Sequence, residues 1–301
     1  MFKRISCLAL ILALLLGVFV QQVTATTDHS IEGDSIAQTS SENLTEAVPS
    51  EPEPEIEIPE SPGIFIDGTY IDTAAPTLIE DTTYVALRSM VQALRPDAVV
   101  TWEEDHAAVT AEDLSVAVYP NENYIEANGR FLFVPSGVQI LDGCTMLPVR
   151  TIAKVFGATV EWNPDDGKTY ITSGAGALLS GDEYYQSDVV YWLSRIINSE
   201  SGNQPLDGKV AVGNVILNRV SNPIFPNTVY EVIFQKNQFA PTRSGTIHDE
   251  PNAESLIAAK LCLDGAVVLS DALWFNPAGV SCWASKHKSL IATIGDHAFY
   301  G

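Results

Sequence analysis

One glutamate in the C-terminal third falls where a helical pattern calls for an apolar residue. Val189, Leu193 and Ile196 recur at helical spacing, and the same stripe reaches Glu200 four residues after Ile196. The helix should end just beyond, at Ser201-Gly202-Asn203. Burial against apolar groups and the negative end of the helix dipole both raise a carboxyl pKa. Such a glutamic acid suits general acid catalysis, although the pattern fits a surface glutamate at a frayed helix end equally well.

The elements after this helix have to position the acid. Residues 206–220 are almost continuously apolar and predict a buried helix. Asn214 and Asn218 lie one turn apart on it, where they would contact a substrate or hydrogen-bond nearby loops. Further helices are predicted at 228–234 and 254–263. Strands are predicted at 272–275, where Asn276-Pro277 should break the strand, and at 291–294 and 299–300.

A series of motifs in fixed order runs from residue 197 to residue 300. They are Ile197-Asn198-Ser199-Glu200-Ser201, residues 208–220, 225–229, 232–233, 238–239 and 275–277, Trp283, and residues 294–300. This string resembles the SleB-type cell wall hydrolase domain, the catalytic part of spore cortex-lytic enzymes. The resemblance implies a mostly helical, lysozyme-like domain with a small β-sheet that cleaves peptidoglycan glycan strands, with Glu200 as the catalytic residue. One departure is Gly202-Asn203-Gln204, where family members often carry Arg-Gly-Glu, which bears on the rim of the cleft and not on the acid.

Candidate substrate-binding residues follow Glu200 along the chain. Amide and imidazole groups are suited to hydrogen-bond sugar acetamido or hydroxyl groups, and aromatic rings are suited to stack on sugar faces or to pack in the core. The candidates are Asn214, Gln238, Phe239, Asn276, Trp283, His297 and Tyr300. No metal ligand and no cofactor is predicted.

The residues also bear on the type of reaction. Glycoside hydrolysis usually needs two carboxyl groups, and none of the eight Asp and Glu residues after Glu200 has a sequence signature of a partner. A lytic transglycosylase needs only one, so this absence and the resemblance favour cleavage that leaves 1,6-anhydro-muramic ends. The alternatives are a zinc-dependent N-acetylmuramoyl-L-alanine amidase and a non-catalytic wall-binding protein. For the amidase, the spacing of His248, His287 and His297 matches no short zinc motif.

Residues 63–174 contain an internal repeat. The segment Thr83-Tyr84-Val85-Ala86-Leu87-Arg88 recurs as Thr145-Met146-Leu147-Pro148-Val149-Arg150, and each copy continues into a short helix and a strand that ends in Trp102 or Trp162. Asp67-Gly68 and Asn128-Gly129 predict hairpin turns. The pattern resembles the copper amine oxidase N-terminal-like domain, which implies an attachment or spacing module and no copper. We expect both tryptophans in the core rather than exposed as sugar platforms.

Charge and the N-terminal segments complete the prediction of a multidomain α+β protein. The 16 Lys and Arg residues against 38 Asp and Glu residues argue against a nucleic-acid partner and leave a glycan possible. Residues 1–25 read as a secretory signal peptide, and residues 26–62, with ten acids and no Lys or Arg, as a disordered linker. The predicted domains are 63–174 and 183–301. We expect a protein of the cell wall or spore envelope, without a membrane span after signal cleavage. A pairing of Cys262 with Cys282 and the oligomeric state stay open.

Overall fold

The structure is a computed structural model that describes residues 63–301. The predicted signal peptide and linker lie outside the described residues. The bounds of the four predicted segments stay predictions. The described residues belong to one compact unit. Within them, no helix has the length and apolar character needed to cross a bilayer.

The first region is β-rich and duplicated, as predicted. Each copy has an opening hairpin, a second hairpin that runs into a short helix, and closing strands. The first copy contains β1 (Ile64–Ile66), β2 (Thr69–Tyr70), β3 (Thr77–Ile79), β4 (Thr82–Ala86), α1 (Leu87–Leu94), β5 (Val99–Glu103), β6 (His106–Ala111) and β7 (Leu114–Val118). The second contains β8 (Tyr124–Ala127), β9 (Arg130–Phe133), β10 (Gln139–Leu141), β11 (Cys144–Pro148), α2 (Val149–Val155), β12 (Thr159–Asn163) and β13 (Lys168–Thr172).

The two copies exchange their opening hairpins. Hairpin β1–β2 joins the closing strands of the second copy in the order β12-β13-β1-β2, and β8–β9 joins those of the first in the order β5-β6-β7-β8-β9. Strands β4 and β11 pair at the centre of a third sheet. The predicted turns at Asp67-Gly68 and Asn128-Gly129 all have positive φ, which two-residue hairpins require. Each copy therefore completes the other's sheet.

The expectation for the two tryptophans is wrong. Trp102 and Trp162 each expose 54% of their surface. The physical reason is their position on β5 and β12, because each of these strands forms one edge of its sheet. An edge strand lacks a neighbour on one side, so a large side chain there stays uncovered although its sequence alternates like that of a buried strand.

The second region is mostly helical with a small sheet. Its elements are α3 (Gly181–Tyr184), α4 (Ser187–Ser201), α5 (Leu206–Ser221), α6 (Val229–Phe234), α7 (Pro241–Ser244), α8 (Ala253–Leu263), α9 (Trp283–His287), β14 (Trp274–Pro277), β15 (Leu290–Ile294) and β16 (His297–Tyr300). The sheet has the order β14-β16-β15. The expected break at Asn276-Pro277 is wrong, because β14 is an edge strand and tolerates a proline without an N–H.

Helices α4, α5 and α8 form the centre of this region. Ile196 and Ile197 of α4 are fully buried in its core. Gly213 lets α5 approach α8 closely, since a Cβ at this position would lie 2.5 Å from Cys262 Sγ and 3.1 Å from Ile197 Cδ1. The close contact of these three helices fixes the end of α4, where Glu200 lies.

The two regions contact each other through β9 and α8. The buried carboxylate of Asp264 at the end of α8 binds the guanidinium of Arg130 and the hydroxyl of Tyr185. Phe131 and Phe133 of β9 pack against the core of the helical region. Polar and apolar contacts therefore hold the duplicated region against the helical one.

Candidate active site

Glu200 lies in the last turn of α4 and is half-buried. Among the described residues, no group donates a hydrogen bond to its carboxylate and no cation pairs with it. Burial raises the pKa of the Glu200 carboxyl. An unpaired, partly accessible carboxyl of this kind retains its proton to higher pH than an exposed glutamate and can transfer it to a bound molecule.

Side-chain amides fix the end of the helix that bears Glu200. Asn198 Oδ1 accepts hydrogen bonds from Asn252 N at 3.1 Å and from Ser255 Oγ at 3.3 Å. In return, Asn252 Nδ2 donates to Gly202 O at 3.1 Å. Asn252 also caps α8. The last turn of α4 and the first turn of α8 are thus held as one piece.

The loop between α4 and α5 is tied to the small sheet and to α8. Gln204 is buried, accepts from Asp296 N at 2.8 Å and donates to Asp296 Oδ2 at 3.1 Å. Lys209 Nζ donates to Gln204 O and pairs with Glu254. The Lys209 side chain is only 1% exposed. This loop contains the Gly202-Asn203-Gln204 departure, and Gln204 in it forms a buried link to the β15–β16 turn.

Sequence reasoning missed Gln204 and Lys209 as positioning residues. The signal for Lys209 was available, because it is the one cation inside an otherwise apolar stretch at residues 208–217. A buried ammonium requires a hydrogen-bonding partner. For Gln204 no sequence signal existed, because its partner Asp296 lies 92 positions away.

Asn214 lies in the core of the helical region. Its amide donates to Ala266 O at 2.8 Å and accepts from Val268 N at 2.8 Å. Asn218 in the same way donates to Leu269 O at 3.2 Å. Of the two roles considered for these amides, the structure shows hydrogen bonding to the loop after α8. The Asn214 amide is therefore engaged, through both its nitrogen and its oxygen, by hydrogen bonds within the core.

Two of the candidate aromatic rings are also core residues. Phe239 and Tyr300 are both buried. Phe239 packs beside Phe275, and Tyr300 packs in a small cluster at the sheet. Gln238, next to Phe239, is exposed and accepts a hydrogen bond from Arg219 at 3.1 Å. Neither ring presents a face to solvent on which a sugar could stack.

The remaining candidates lie in α9 and in the small sheet. Trp283 is exposed and stacks on His287, with ring centroids 5.1 Å apart. Asn276 Oδ1 accepts from the Cys282 thiol at 2.7 Å, so its amide shapes the loop before α9. His297 is buried with its Nδ1 lacking a partner among the described residues, and burial lowers its pKa. Trp283 is thus the candidate ring that a sugar can reach.

Asp207 is another carboxyl with an unusual environment. It is half-buried in the first turn of α5, and its Oδ1 is buried without a hydrogen-bond partner among the described residues. Burial raises its pKa. Glu250 and Glu254, in contrast, are paired with Arg195 and Lys209.

Residues 63–301 contain neither a cluster of metal-ligating side chains nor a disulfide. That part of the chain contains no group of three or more His, Cys, Asp or Glu residues arranged to hold a metal ion. Its three cysteines, Cys144, Cys262 and Cys282, are all unpaired.

Family comparisons match both regions. Residues 203–300 match the cell wall hydrolase family, and residues 65–171 match the copper amine oxidase N-terminal domain. The first match begins three residues after Glu200.

Several spore cortex-lytic enzymes are similar to part of this chain. The one from Bacillus subtilis (strain 168) is 32% identical over 117 residues, 38% of this chain and 38% of that protein. The one from Oceanobacillus iheyensis is 31% identical over 147 residues, 44% of this chain and 52% of that protein. The one from Bacillus cereus is 36% identical over 118 residues, 38% of this chain and 45% of that protein. The chain thus spans about half or less of the length of these relatives.

One solved structure is also similar to part of this chain. The catalytic domain of the Bacillus cereus SleB protein is 30% identical, and the match covers 39% of this chain and 92% of that one, with a TM-score of 0.37. Two segments of the chain therefore match known families: residues 65–171 match a copper amine oxidase N-terminal domain, and residues 203–300 match a cell wall hydrolase domain and are similar to spore cortex-lytic enzymes.

Proposed function

We propose that this protein cleaves peptidoglycan glycan strands as a lytic transglycosylase, with Glu200 as its single catalytic acid and base. The observation that carries the proposal is the Glu200 carboxyl, which is half-buried on an apolar helix face and has no partner among the described residues. The cell wall hydrolase match and the similarity to spore cortex-lytic enzymes support the choice of substrate.

The proposed reaction uses the Glu200 carboxyl twice, first as an acid and then as a base. Protonated Glu200 gives its proton to the glycosidic oxygen that links muramic C1 to the next sugar, and the C1–O bond breaks. The muramic C6 hydroxyl then attacks C1, and the Glu200 carboxylate takes the hydroxyl proton. The products are a 1,6-anhydro-muramic end and a free hydroxyl on the leaving sugar. No water is consumed, and Glu200 ends protonated.

The exposed Trp283 ring of α9 is the proposed stacking surface for a sugar. Asn276, Gln238 and His297 remain candidates for hydrogen bonds to the substrate. His297 would act as a neutral donor or acceptor, because burial lowers its pKa.

Muropeptide analysis tests the reaction. The full chain and its Glu200→Gln variant are incubated with purified peptidoglycan, and the released fragments are weighed by mass spectrometry. We expect ends lighter by one water than hydrolytic ends, and no release by the variant. Release by the variant at the wild-type rate would refute the role of Glu200.

A hydrolase with two carboxyl groups is the second candidate, and Asp207 is the observation that favours it. Its carboxyl is unpaired among the described residues, and burial raises its pKa. Reducing ends in the products, lost in Asp207→Asn as well as in Glu200→Gln, would establish this reaction. Loss of free stem peptides on addition of a chelator would instead indicate the amidase.

The location and the natural substrate follow from the same proposal. The N-terminal sequence pattern supports export, and the names of the relatives support spore cortex as the substrate. Cortex and vegetative peptidoglycan compared side by side, at equal glycan concentration, test the choice. Equal rates on both would argue against a cortex-specific enzyme.

A further inference from the structure

The duplicated region has an open cleft at the exposed tryptophan of its first copy. The cleft has a volume of about 550 Å³ and lies between the start of α1, the edge strand β5 and the β10–β11 hairpin of the other copy. Trp102 forms one wall, and Ile140, which is 46% exposed, lies on the hairpin opposite. Arg88, Ser89 and Thr145 contribute polar groups to the lining.

The second copy has the same residue types at the corresponding positions. Trp162 takes the place of Trp102 and is equally exposed. Leu78 on the β3–β4 hairpin takes the place of Ile140 and is 64% exposed. Arg150 takes the place of Arg88 at the start of α2, but it donates a hydrogen bond to Val160 O at 2.9 Å. A large exposed ring and an exposed aliphatic residue are therefore retained in both halves of a duplicated domain.

The indole of Trp102 is fixed in a way that leaves its ring available. Its Nε1 donates to Glu104 O at 3.2 Å within the β5–β6 turn. This hydrogen bond satisfies the polar edge of the ring and holds it in place. Arg88 has no hydrogen-bond or ion-pair partner among the described residues, so its guanidinium is free to donate to a ligand.

The chemistry of the cleft selects a neutral, ring-shaped ligand. Glu103 and Glu104 follow Trp102 directly, and Glu161 precedes Trp162. These acids make both edge strands negatively charged, which disfavours phosphate polymers and anionic lipid surfaces. The apolar face of a pyranose matches an exposed indole, and its hydroxyl and acetamido oxygens match a free guanidinium and two hydroxyl groups.

We infer that two tryptophan sites of the duplicated region, the Trp102 cleft and the exposed Trp162 ring, bind the sugar rings of peptidoglycan glycan strands and hold the enzyme on its polymer. The choice of glycan strands rests on the proposed function, whereas the choice of a sugar rests on the two sites themselves. Two sites on one domain bind a polymer more tightly than either site binds alone, because the second contact is intramolecular.

The test measures binding without cleavage. The full chain with Glu200→Gln is passed over immobilised glycan strands that an amidase has freed of their stem peptides. We expect Trp102→Ala and Trp162→Ala each to weaken binding about tenfold, and the double variant to weaken it further. Trp102→Phe should retain most of the affinity, because it keeps an aromatic face. Binding should change little with salt, since the contact is not built on charge.

Tyr119→Ala is the matched control. Tyr119 is an exposed aromatic residue of the same region that stacks on His106, outside the cleft, so its loss should leave binding unchanged. Melting temperatures of all variants should stay close to the parent, because Trp102 and Trp162 are exposed. A double variant that binds like the parent, or a parent that does not bind the strands, overturns the inference.

A competitor separates the glycan from a peptide ligand. A synthetic peptide with the proline-rich sequence of residues 46–62 is added to the binding assay, since tryptophan clefts also bind proline-rich segments. Displacement of the enzyme by this peptide at stoichiometric concentration overturns the glycan assignment. The proposed function fails separately, when Glu200→Gln still cleaves peptidoglycan. If only the inference about the tryptophan sites fails, the wild type still cleaves peptidoglycan and Glu200→Gln does not.

Discussion

The buried ion pair between the two regions makes a sharp prediction about stability. The Asp264 side chain is 1% exposed and that of Arg130 is 6% exposed. Asp264 also accepts a hydrogen bond from Tyr185 and lies 3.2 Å from Lys154 Nζ. Asp264→Asn removes the charge but keeps the shape, so the Arg130 guanidinium is left buried without a counter-charge.

The expected loss of stability follows from that arrangement. Removing one partner of a buried ion pair costs about 3–5 kcal/mol. For a folded body of this size, 1 kcal/mol shifts the melting temperature by about 2–4 °C, so Asp264→Asn should lower it by about 6–20 °C. Circular dichroism melts at neutral pH measure the shift, and calorimetry shows whether the two regions now unfold in separate transitions.

Two further variants make the result interpretable. Asp97→Asn breaks the exposed pair with Arg95, and its melting temperature should barely move. The double variant Arg130→Met with Asp264→Leu replaces the buried pair by apolar groups and should recover much of the loss. A melting temperature of Asp264→Asn within about 2 °C of the wild type would refute a desolvated ion pair between the regions.

Three other perturbations test the helical region. Glu200→Gln should stabilise the protein by about 0.5–2 kcal/mol at pH 8 and by nearly nothing at pH 4. Burial raises the pKa of the wild-type carboxyl, so the stability that the wild type has at low pH is lost as this group ionises. Thermal melts at both pH values measure the difference. Lys209→Met should lower the free energy of unfolding by about 1–3 kcal/mol, measured by chemical denaturation, because the Gln204 carbonyl is left unpaired. It should also reduce kcat more than it raises KM, because the loop after α4 loses its support. Gly213→Ala should cost about 1–3 kcal/mol, because the new Cβ would lie 2.5 Å from Cys262 Sγ. Cys262→Ala in the same chain should recover part of that loss, and an uncorrected loss would show that the clash lies elsewhere.

Local periodicity predicted most of the elements. The apolar stripe through Leu193 and Ile196 gave α4 and placed Glu200 at its end, since a helix that packs on one side marks that side in its sequence. The turn pairs Asp67-Gly68 and Asn128-Gly129 gave both opening hairpins, because few residues adopt positive φ at two successive positions.

Sequence could not predict which edges of the sheets stay uncovered. Trp102 and Trp162 lie in strands whose alternation is typical of half-buried strands. Whether an edge strand acquires a neighbour depends on how the two copies exchange hairpins, and that exchange leaves no local signal. The same reason applies to Pro277, which β14 accommodates because the strand is at an edge.

Long-range polar contacts also could not be predicted from the sequence. Asp264 and Arg130 are 134 positions apart, and neither is preceded by a pattern that marks a buried charge. Asn214 shows the converse case, because a buried amide at helical spacing fits a loop contact or a ligand contact equally well. Only the packing of α5 against the loop after α8 decides between the two.

The contacts between the regions bear on how an enzyme with one catalytic carboxyl would work on an insoluble polymer. Half-buried Glu200 gains its raised pKa at the expense of folding stability, since the fold disfavours its ionised form. Packing of β9 against α8 contributes stability from outside the helical core. If the two tryptophan sites bind the glycan, the same packing holds them at a fixed distance from Glu200, so a strand bound at these sites has a high local concentration at the acid. Loss of the Arg130–Asp264 pair would then slow cleavage of the polymer more than cleavage of short fragments, which are too small to reach both places.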